Sequence, residues 1–491
     1  MKKRIKKMFI VTVVSMLCLS MISGSVFATS AAMPANNSNV AYDGDPIVVV
    51  RGIDFAGLVK EDGSKALAIN VGDIFRILIN IIFSSLAGNN EKTVDSIIDF
   101  ANSLFNDMSR DENGIPANAG VHIPKFLTSA DNIDLSGDEW ADTAVGLFRS
   151  LANKYGGKNI YLYTFDWRCS PSELADDLNS FLTLVKTETG KDKLDIAACS
   201  MGGMITTAYI DKYGTDCLDS VVYLSSAHNG GIIVGSAFTG DLVVDNNAIA
   251  DFLLEKTANN GLVNFLIKIL NGIGILDLVV NFLNDFITTN KDRLYNEFLF
   301  KNFCTAFGLW GLIPDEYFEA SINYFFEGKE ESYTYALSEI NKVKDFVFRT
   351  DEILAKAYAD GVKVSFVSHY DSRQLPIYSN FELHGDGVLE SEKTSGYGTF
   401  AKYGATLSDE ELAGVDARYI SPDRVVNAST CLYKDTTWII KGAGHVGCKD
   451  NSDHTEFAIW LLTQDLQPTV TTNADYPQFM NVDENENFIE F

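Results

Sequence analysis

The stretch that most constrains the fold is residues 193–209, KLDIAACSMGGMITTAY, in which an apolar run meets a serine and continues in a helical pattern. The apolar run predicts a short buried strand of the kind found in parallel sheets. Ser200 follows in a tight turn, where small residues at Ala198, Gly202 and Gly203 let the strand and the helix pass closely. The stretch therefore predicts a strand, a strained serine and a helix, which is the arrangement of a nucleophile elbow.

Such a turn places the serine hydroxyl at the carboxyl edge of the predicted sheet. The backbone amide of the next residue, Met201, and the positive end of the helix face the same point. Ser200 is therefore the candidate nucleophile, and Met201 is a candidate donor of one oxyanion-hole amide. The alternative is that Ser200 only caps the helix after a core strand.

Two segments resemble those of a known superfamily. The segment ACSMGGM at 198–204 resembles the serine motif of alpha/beta-hydrolase lipases and esterases, with Ala198 in place of the usual first glycine. The segment YTFDWR at 163–168 resembles the lecithin:cholesterol acyltransferase branch of that superfamily. The resemblance extends over roughly residues 46–462. It implies an alpha/beta-hydrolase fold, with a mostly parallel, doubly wound sheet and a large helical lid or cap insertion.

The order of apolar runs also favours a doubly wound α/β architecture. Predicted strands alternate with helical segments, as expected when helices connect the strands of a parallel sheet. The predicted strands are 47–50, 159–164, 194–198, 220–225, 363–368 and, as the last strand, 437–440; the predicted helices include 66–86, 94–107, 140–155, 171–189 and 455–462.

The chain divides by composition into a leader, a core in two parts, an insertion and a tail. Residues 1–28 have a basic start, an apolar centre and a small-residue end, which predicts a signal peptide, with a retained anchor as the alternative. The other ranges are an exposed lead-in at 29–45, the first core part at 46–238 with a helical insertion at 64–110, a helical lid or cap at 239–361, the second core part at 362–465, and an acidic tail at 466–491. We expect the tail to be disordered or to fold back as a sheet edge.

The insertion at 239–361 is helical and strongly apolar. Its stretch 252–287 is rich in Leu, Ile, Phe and Val, but Lys268, Asp277 and Asp285 interrupt it, so it is not expected to span a bilayer. The family resemblance implies a lid that lines an acyl-chain pocket here. A rigid helical subdomain without gating is the alternative.

An aspartate and a histidine complete the candidate triad. The resemblance places the acid in a segment like GDGTV, which matches HGDGVL at 384–389 and selects Asp386. Asp371 stays open as the alternative acid, because it closely follows a predicted strand. His445 lies in the glycine-rich loop after the strand at 437–440, where this fold needs a general base.

Two other histidines fit the role of base less well. His228 follows a predicted strand at the same sheet edge, but it precedes the expected position of the acid. His454 starts a predicted helix and is interpreted as a surface cap.

The remaining candidate residues lie in loops at the same edge. By resemblance, the loop after 47–50 supplies the second oxyanion amide from Ile53, with Phe55 as the fallback. Asp166, Trp167 and Arg168 are candidates for a substrate loop. An ion pair that pins loops explains Asp166 and Arg168 at least equally well.

Charge and cysteine content narrow the range of partners. The formal charge is −27, and it becomes −32 if the leader with its five cationic residues is removed. Such acidity does not favour nucleic acid or anionic lipid headgroups, so contact with lipid would be apolar. The spacing of cysteines and histidines predicts no metal site, and the mechanism needs no cofactor. Cys431 and Cys448 are a candidate disulfide pair.

The order Ser200, Asp386, His445 is that of the alpha/beta-hydrolase superfamily. We therefore predict a secreted, extracellular serine hydrolase that cleaves carboxylic esters, with lipid or long-chain acyl esters as substrates. An acyltransferase, an amidase or peptidase of the same fold, and an inactive ligand-binding module are the alternatives. The oligomeric state is left open.

Overall fold

The computed structural model of the protein describes residues 42–67, 90–134, 143–241, 243, 245–256, 261–374, 376, 378–379 and 381–491. The predicted signal peptide at 1–28, most of the lead-in and most of the apolar segment at 66–86 lie outside these ranges. Within the ranges, no helix combines the length and the apolar character needed to cross a bilayer.

A mostly parallel sheet of eight strands forms the centre of the described chain. The described chain has ten strands in all: β1 Ile47–Val50, β2 Ile160–Tyr163, β3 Leu194–Cys199, β4 Leu218–Leu224, β5 Lys363–Tyr370, β6 Thr399–Phe400, β7 Val426–Asn427, β8 Thr437–Lys441, β9 Phe479–Val482 and β10 Phe488–Ile489. The order in the sheet is β10-β9-β8-β5-β4-β3-β1-β2, and every pairing is parallel except that of β9 with β10. Strands β6 and β7 form a separate antiparallel pair. The α/β architecture predicted from the sequence is confirmed.

Helices cover both faces of this sheet. They are α1 Asn90–Phe105, α2 Thr143–Tyr155, α3 Pro171–Thr189, α4 Met201–Tyr213, α5 Ile232–Thr239, α6 Asn246–Lys256, α7 Gly261–Gly272, α8 Ile275–Leu294, α9 Lys301–Phe303, α10 Phe307–Trp310, α11 Asp315–Phe326, α12 Thr334–Val347, α13 Thr350–Ala359, α14 Ser391–Thr394 and α15 Asp453–Leu462. In β3, Ile196 and Ala198 pack on one face with α3 and α4, whereas Ala197 and Cys199 pack on the other with α2 and α15. This alternation follows from the two-residue period of a strand, and burial on both faces explains why β3 is apolar nearly throughout.

Helix α3 shows how local sequence sets an element that leads to the site. Ser170 and Glu173 form a reciprocal capping box, and Pro171 occupies the first turn. Gly190 ends the helix in the left-handed conformation, with φ of 68°. The helix therefore begins and ends where the sequence predicts it, and the chain enters β3 four residues later.

The predicted lid or cap at 239–361 packs in two different ways. Residues of α6, α7 and α8 form a small cluster of their own, built on Ala250, Ile267 and Leu276. By contrast, α10 to α13 belong to the large core cluster beside α3 and α4, where Trp310 and Phe318 are fully buried. The second part is therefore built into the core.

The C-terminal segment forms an edge of the sheet, which is one of the two alternatives left open for the tail. In β9, Phe479 pairs with Ile439 of β8, and β10 then pairs with β9. The prediction that 437–440 is the last strand is therefore wrong. Without β9, the backbone amides and carbonyls along one edge of β8 would be unpaired, and the short run 479–482 supplies a strand that pairs with them.

The candidate disulfide between Cys431 and Cys448 is not formed. Both residues are buried free thiols. They belong to different hydrophobic clusters, one beside the β6–β7 pair and the other on the α2 and α15 face of the sheet. Proximity in sequence to the same strand did not bring the two sulfur atoms together.

Candidate active site

Ser200 lies in the turn between β3 and α4 with φ of 51° and ψ of −125°. A non-glycine residue rarely adopts this conformation, so the turn is strained. Two glycines make it possible: a Cβ on Gly202 would lie 2.3 Å from the carbonyl oxygen of Val50, and a Cβ on Gly203 would lie 1.6 Å from Ser226 Oγ. The strand, strained serine and helix predicted from residues 193–209 are present.

The structure brings the three candidate triad residues together. His445 Nε2 lies 2.9 Å from Ser200 Oγ, and His445 Nδ1 lies 2.8 Å from Asp386 Oδ2. Because an ionised carboxylate can only accept, the imidazole carries its proton on Nδ1 and donates to Asp386. The Nε2 atom is then free to accept the proton of the Ser200 hydroxyl, which is the tautomer that a general base requires.

Asp386 is buried, yet its environment keeps it ionised. Burial raises the pKa of this carboxyl, but the charge and hydrogen bond of His445 and the amide of Leu389 bring the pKa below its usual value. The Oδ1 atom accepts from the amides of Val388 and Leu389, at 2.9 and 2.7 Å. One oxygen therefore fixes the acid loop, while the other faces the imidazole.

The loop after β1 passes directly over the serine. A Cβ on Gly52 would lie 2.8 Å from Ser200 Cβ, and an ion pair of 2.8 Å between Arg51 and Asp54 spans the loop. In the part of the chain that the structure describes, the amides of Ile53 and Met201 donate no hydrogen bond to a protein acceptor.

Asp166 and Arg168 form an ion pair, with 2.6 Å between Asp166 Oδ2 and Arg168 Nη2. The Arg168 side chain is 2% exposed and also donates to the carbonyl oxygen of Val121 at 3.0 Å. These contacts tie the β2 loop to the segment before α2, which is the loop-pinning interpretation. Trp167 is buried between Phe55 and Phe303, with ring centroids 4.9 and 6.4 Å away.

The alternative acid Asp371 and the alternative base His228 have other partners. Asp371 pairs with Lys441 at 3.7 Å, whereas Asp386 is the carboxylate bonded to His445. His228 is buried against Tyr223 and Phe366, and burial lowers its pKa to about 3.

The interpretation of His454 as a surface cap is wrong. Its side chain is fully buried, and its Nε2 atom lies 3.2 Å from His369 Nε2. The helix α15 is capped instead by Ser452, whose hydroxyl accepts from the amide of Thr455. The C-terminal edge strands cover this end of α15, and the helical pattern in the sequence gives no sign of them.

Sequence reasoning missed one buried carboxylate beside the acid loop. Glu390 accepts from the amide of Ile232 at 2.7 Å and from the hydroxyl of Tyr378 at 2.8 Å. Burial raises its pKa to about 7. The side chain therefore joins the loop of Asp386 to the start of α5. The signal in the sequence is weak: an acidic residue directly after the apolar pair 388–389.

No family model matches the chain, and no curated protein matches it. Among solved structures, a chain of the crystal structure of a Tle4–Tli4 complex is similar, with a TM-score of 0.33 and 11% sequence identity over 85% of this chain and 97% of that chain. Among the described residues, no group of three or more His, Cys, Asp or Glu side chains is placed to hold a metal ion.

Proposed function

We propose that the protein is a carboxylic ester hydrolase with Ser200 as nucleophile, His445 as general base and Asp386 as the acid that orients it. The observation that carries this proposal is the continuous hydrogen-bonded chain, with distances of 2.9 and 2.8 Å, that ends on a serine held in a strained turn. A merely structural serine does not need such a conformation or such a partner.

In the proposed reaction, Ser200 Oγ attacks the ester carbonyl carbon while His445 Nε2 takes the hydroxyl proton. The amides of Ile53 and Met201 donate to the oxyanion of the tetrahedral intermediate. His445 then gives the proton to the alkoxy oxygen as the carbon–oxygen bond breaks, and the alcohol leaves an acyl-enzyme. Water attacks this acyl group with His445 again as base, and the carboxylic acid and free Ser200 are released. Asp386 stabilises the imidazolium in both halves.

We infer an apolar substrate, in the class of lipid or long-chain acyl esters. Phe265, Ile269 and Ile273 are 59%, 41% and 58% exposed. They are spaced four residues apart along α7 and its last turn, so they lie on one helix face. We call these residues the α7 stripe. An exposed apolar stripe favours contact with an apolar surface, and the resemblance of 163–168 to the acyltransferase branch agrees with a lipid ester. The leader at 1–28 favours a secreted, extracellular enzyme.

The test of the reaction is the release of p-nitrophenol from esters with two to sixteen acyl carbons. We expect the wild type to prefer long chains and Ser200→Ala to lose activity by roughly 10⁴-fold or more. The control is Ser180→Ala, an exposed serine on α3, which should match the wild type. A folded wild type that neither turns over any ester nor reacts with a fluorophosphonate at Ser200 would contradict the proposal.

The test of the substrate class is replacement of the α7 stripe by serine at all three positions. Activity on an emulsified long-chain ester should fall, because the apolar contact area is lost. Hydrolysis of dissolved p-nitrophenyl acetate should be unchanged, since the triad is untouched. An equal fall for both substrates would argue against a role of the stripe in substrate contact.

A further inference from the structure

Behind the loop that carries His445 lies a set of buried polar side chains from distant parts of the chain. His369 comes from β5, His454 from α15, and Glu486 from the turn between β9 and β10. Both histidines are fully buried, and Glu486 is 3% exposed. We call these three residues the histidine brace.

The brace is bonded to the loop backbone on both sides of His445. His369 Nδ1 lies 2.9 Å from the carbonyl oxygen of Gly444, the residue directly before His445. On the other side, the amide of Cys448 donates to His454 Nδ1 at 3.2 Å, and the amide of Lys449 donates to a Glu486 carboxylate oxygen at 2.8 Å.

The members of the brace also contact one another. The Nε2 atoms of His369 and His454 lie 3.2 Å apart, and the amide of His454 donates to the carbonyl oxygen of Glu486 at 3.2 Å. The amide of Cys448 donates to His454 Nδ1, so His454 carries its proton on Nε2 and donates it to His369 Nε2. His369 therefore carries its own proton on Nδ1, which lies 2.9 Å from the Gly444 carbonyl oxygen and 2.8 Å from Ser225 Oγ. A neutral His369 then accepts at Nε2 from His454. Burial, together with the neighbouring His454, lowers the pKa of His369 to about 3, which agrees with a neutral ring.

The loop needs external support because its backbone is strained directly after His445. Val446 and Cys448 have φ of 64° and 65°, a left-handed conformation that is unfavourable for a residue with a side chain. Gly447 between them also has positive φ, and a Cβ there would lie 2.3 Å from His454 Cε1. The ring of His454 therefore packs directly against the strained part of the loop.

We propose that the histidine brace positions His445 for catalysis, which makes the C-terminal segment at 483–489 part of the support of the active site. The inference rests on the proposed function above. The hydrogen bonds from these three residues to the loop go to its backbone at Gly444, Cys448 and Lys449, so they are positioning residues. The brace holds the backbone on both sides of His445. It thereby maintains the distance of 2.9 Å between His445 Nε2 and Ser200 Oγ.

The test compares pairs of variants that keep or remove one bond to the loop. Glu486→Gln keeps an acceptor for the Lys449 amide, and Glu486→Ala removes it. His369→Asn keeps a donor near the Gly444 carbonyl, and His369→Leu removes it. Glu490→Ala, which changes an exposed acidic residue directly after the segment at 483–489, is the control. For each variant we would measure kcat, KM, the rate of Ser200 labelling by a fluorophosphonate, and the thermal unfolding midpoint.

We expect kcat and the labelling rate of Glu486→Ala and His369→Leu to fall together by about 10- to 100-fold with KM little changed, since a small misplacement of a catalytic group has effects of this size. Glu486→Gln and His369→Asn should stay within about threefold of the wild type. Measurements are made well below the unfolding midpoint. If one alanine or leucine variant does not fold, the other decides.

A lower unfolding midpoint with unchanged kcat and labelling rate in Glu486→Ala and His369→Leu would overturn the inference, because the brace would then support the fold alone. Failure of the proposed function gives a different result, in which the wild type itself neither hydrolyses esters nor is labelled.

Discussion

Ser200 and His445 meet at 2.9 Å, but the protein holds the two residues by different means. Ser200 lies between a strand and a helix that adjoin it in sequence, and its strained backbone is possible because Gly202 and Gly203 lack side chains. His445 lies in a loop that includes left-handed residues, which side chains from β5, α15 and the C-terminal segment hold in place. Close backbone packing supports the nucleophile, and long-range hydrogen bonds support the base.

The comparison predicts the largest effect where the base meets its acid. Asp386→Asn should lower kcat by roughly 10⁴-fold, because the amide no longer selects the Nδ1–H tautomer of His445 or stabilises its charge. Asp371→Asn should leave kcat within about twofold, because the structure pairs Asp371 with Lys441. Steady-state kinetics on a p-nitrophenyl ester measure both. Equal losses in the two variants would show that the acid has been wrongly assigned.

A smaller effect is expected from adding a methyl group on each side of the Ser200–His445 contact. Gly203→Ala should lower the free energy of unfolding by about 1–3 kcal/mol and reduce activity, because its Cβ would meet Ser226 Oγ at 1.6 Å. Gly444→Ala, directly before His445, should change stability by no more than about 0.5 kcal/mol, since no atom lies within 4 Å of a Cβ there. Urea unfolding measures both values. A Gly444→Ala variant as unstable as Gly203→Ala would mean that the two supports do not differ in this way.

At neutral pH the smallest effect comes from two buried histidines, one on each side of the contact, which lower stability only as the pH falls. Burial lowers the pKa to about 3 for His228, which follows β4 beside Ser200, and for His369 in the brace. An unfolded histidine titrates near 6.5, so between pH 6.5 and 3 the unfolded chain binds protons that the folded chain does not. Each histidine should therefore lower stability as pH falls through this window, by up to about 1.4 kcal/mol per pH unit.

Two buried carboxyl groups act in the opposite direction. Burial raises the pKa of Asp195 to about 8 and that of Glu390 to about 7, so their contributions to stability decrease as pH rises from about 4 towards those values. The contribution of His228 to the pH dependence is therefore measured as the difference in unfolding free energy between His228→Gln and the wild type. Relative to the wild type, His228→Gln should become more stable as the pH falls from 6.5 to 4, by up to about 1.4 kcal/mol per pH unit. Parallel curves would contradict a buried neutral His228.

The predicted elements show which parts of the fold follow from local sequence. Helix α3 lies where its capping box, Pro171 and Gly190 place it, because caps act within one helical turn. The strands β1 and β3 are apolar runs, because helices cover both faces of the sheet and bury both sides of each strand. For the tail the sequence left disorder and a sheet edge as alternatives and placed no strand at 479–482, because a four-residue strand in a polar tail becomes stable only when it pairs with β8.

The histidines show the limit of the same reasoning. His454 has the sequence position of a helix start, and only the packing of the C-terminal segment against α15 buries it. The cysteines at 431 and 448 flank one strand, yet they pack into different clusters. Burial of a polar or thiol side chain depends on neighbours that are distant in the sequence or on another face of the sheet, and no local pattern contains them.

The sequence by itself therefore determined the strand, the strained turn and the helix around Ser200, since the residues that permit this turn are its immediate neighbours. It also placed Asp386 and His445 in loops that follow strands of a parallel sheet. Only the tertiary structure decided that Asp386 and not Asp371 meets His445, and that Glu486 reaches the loop behind it. These choices depend on hydrogen bonds between side chains and backbone from separate loops, whose distances are set by the packing of the whole sheet.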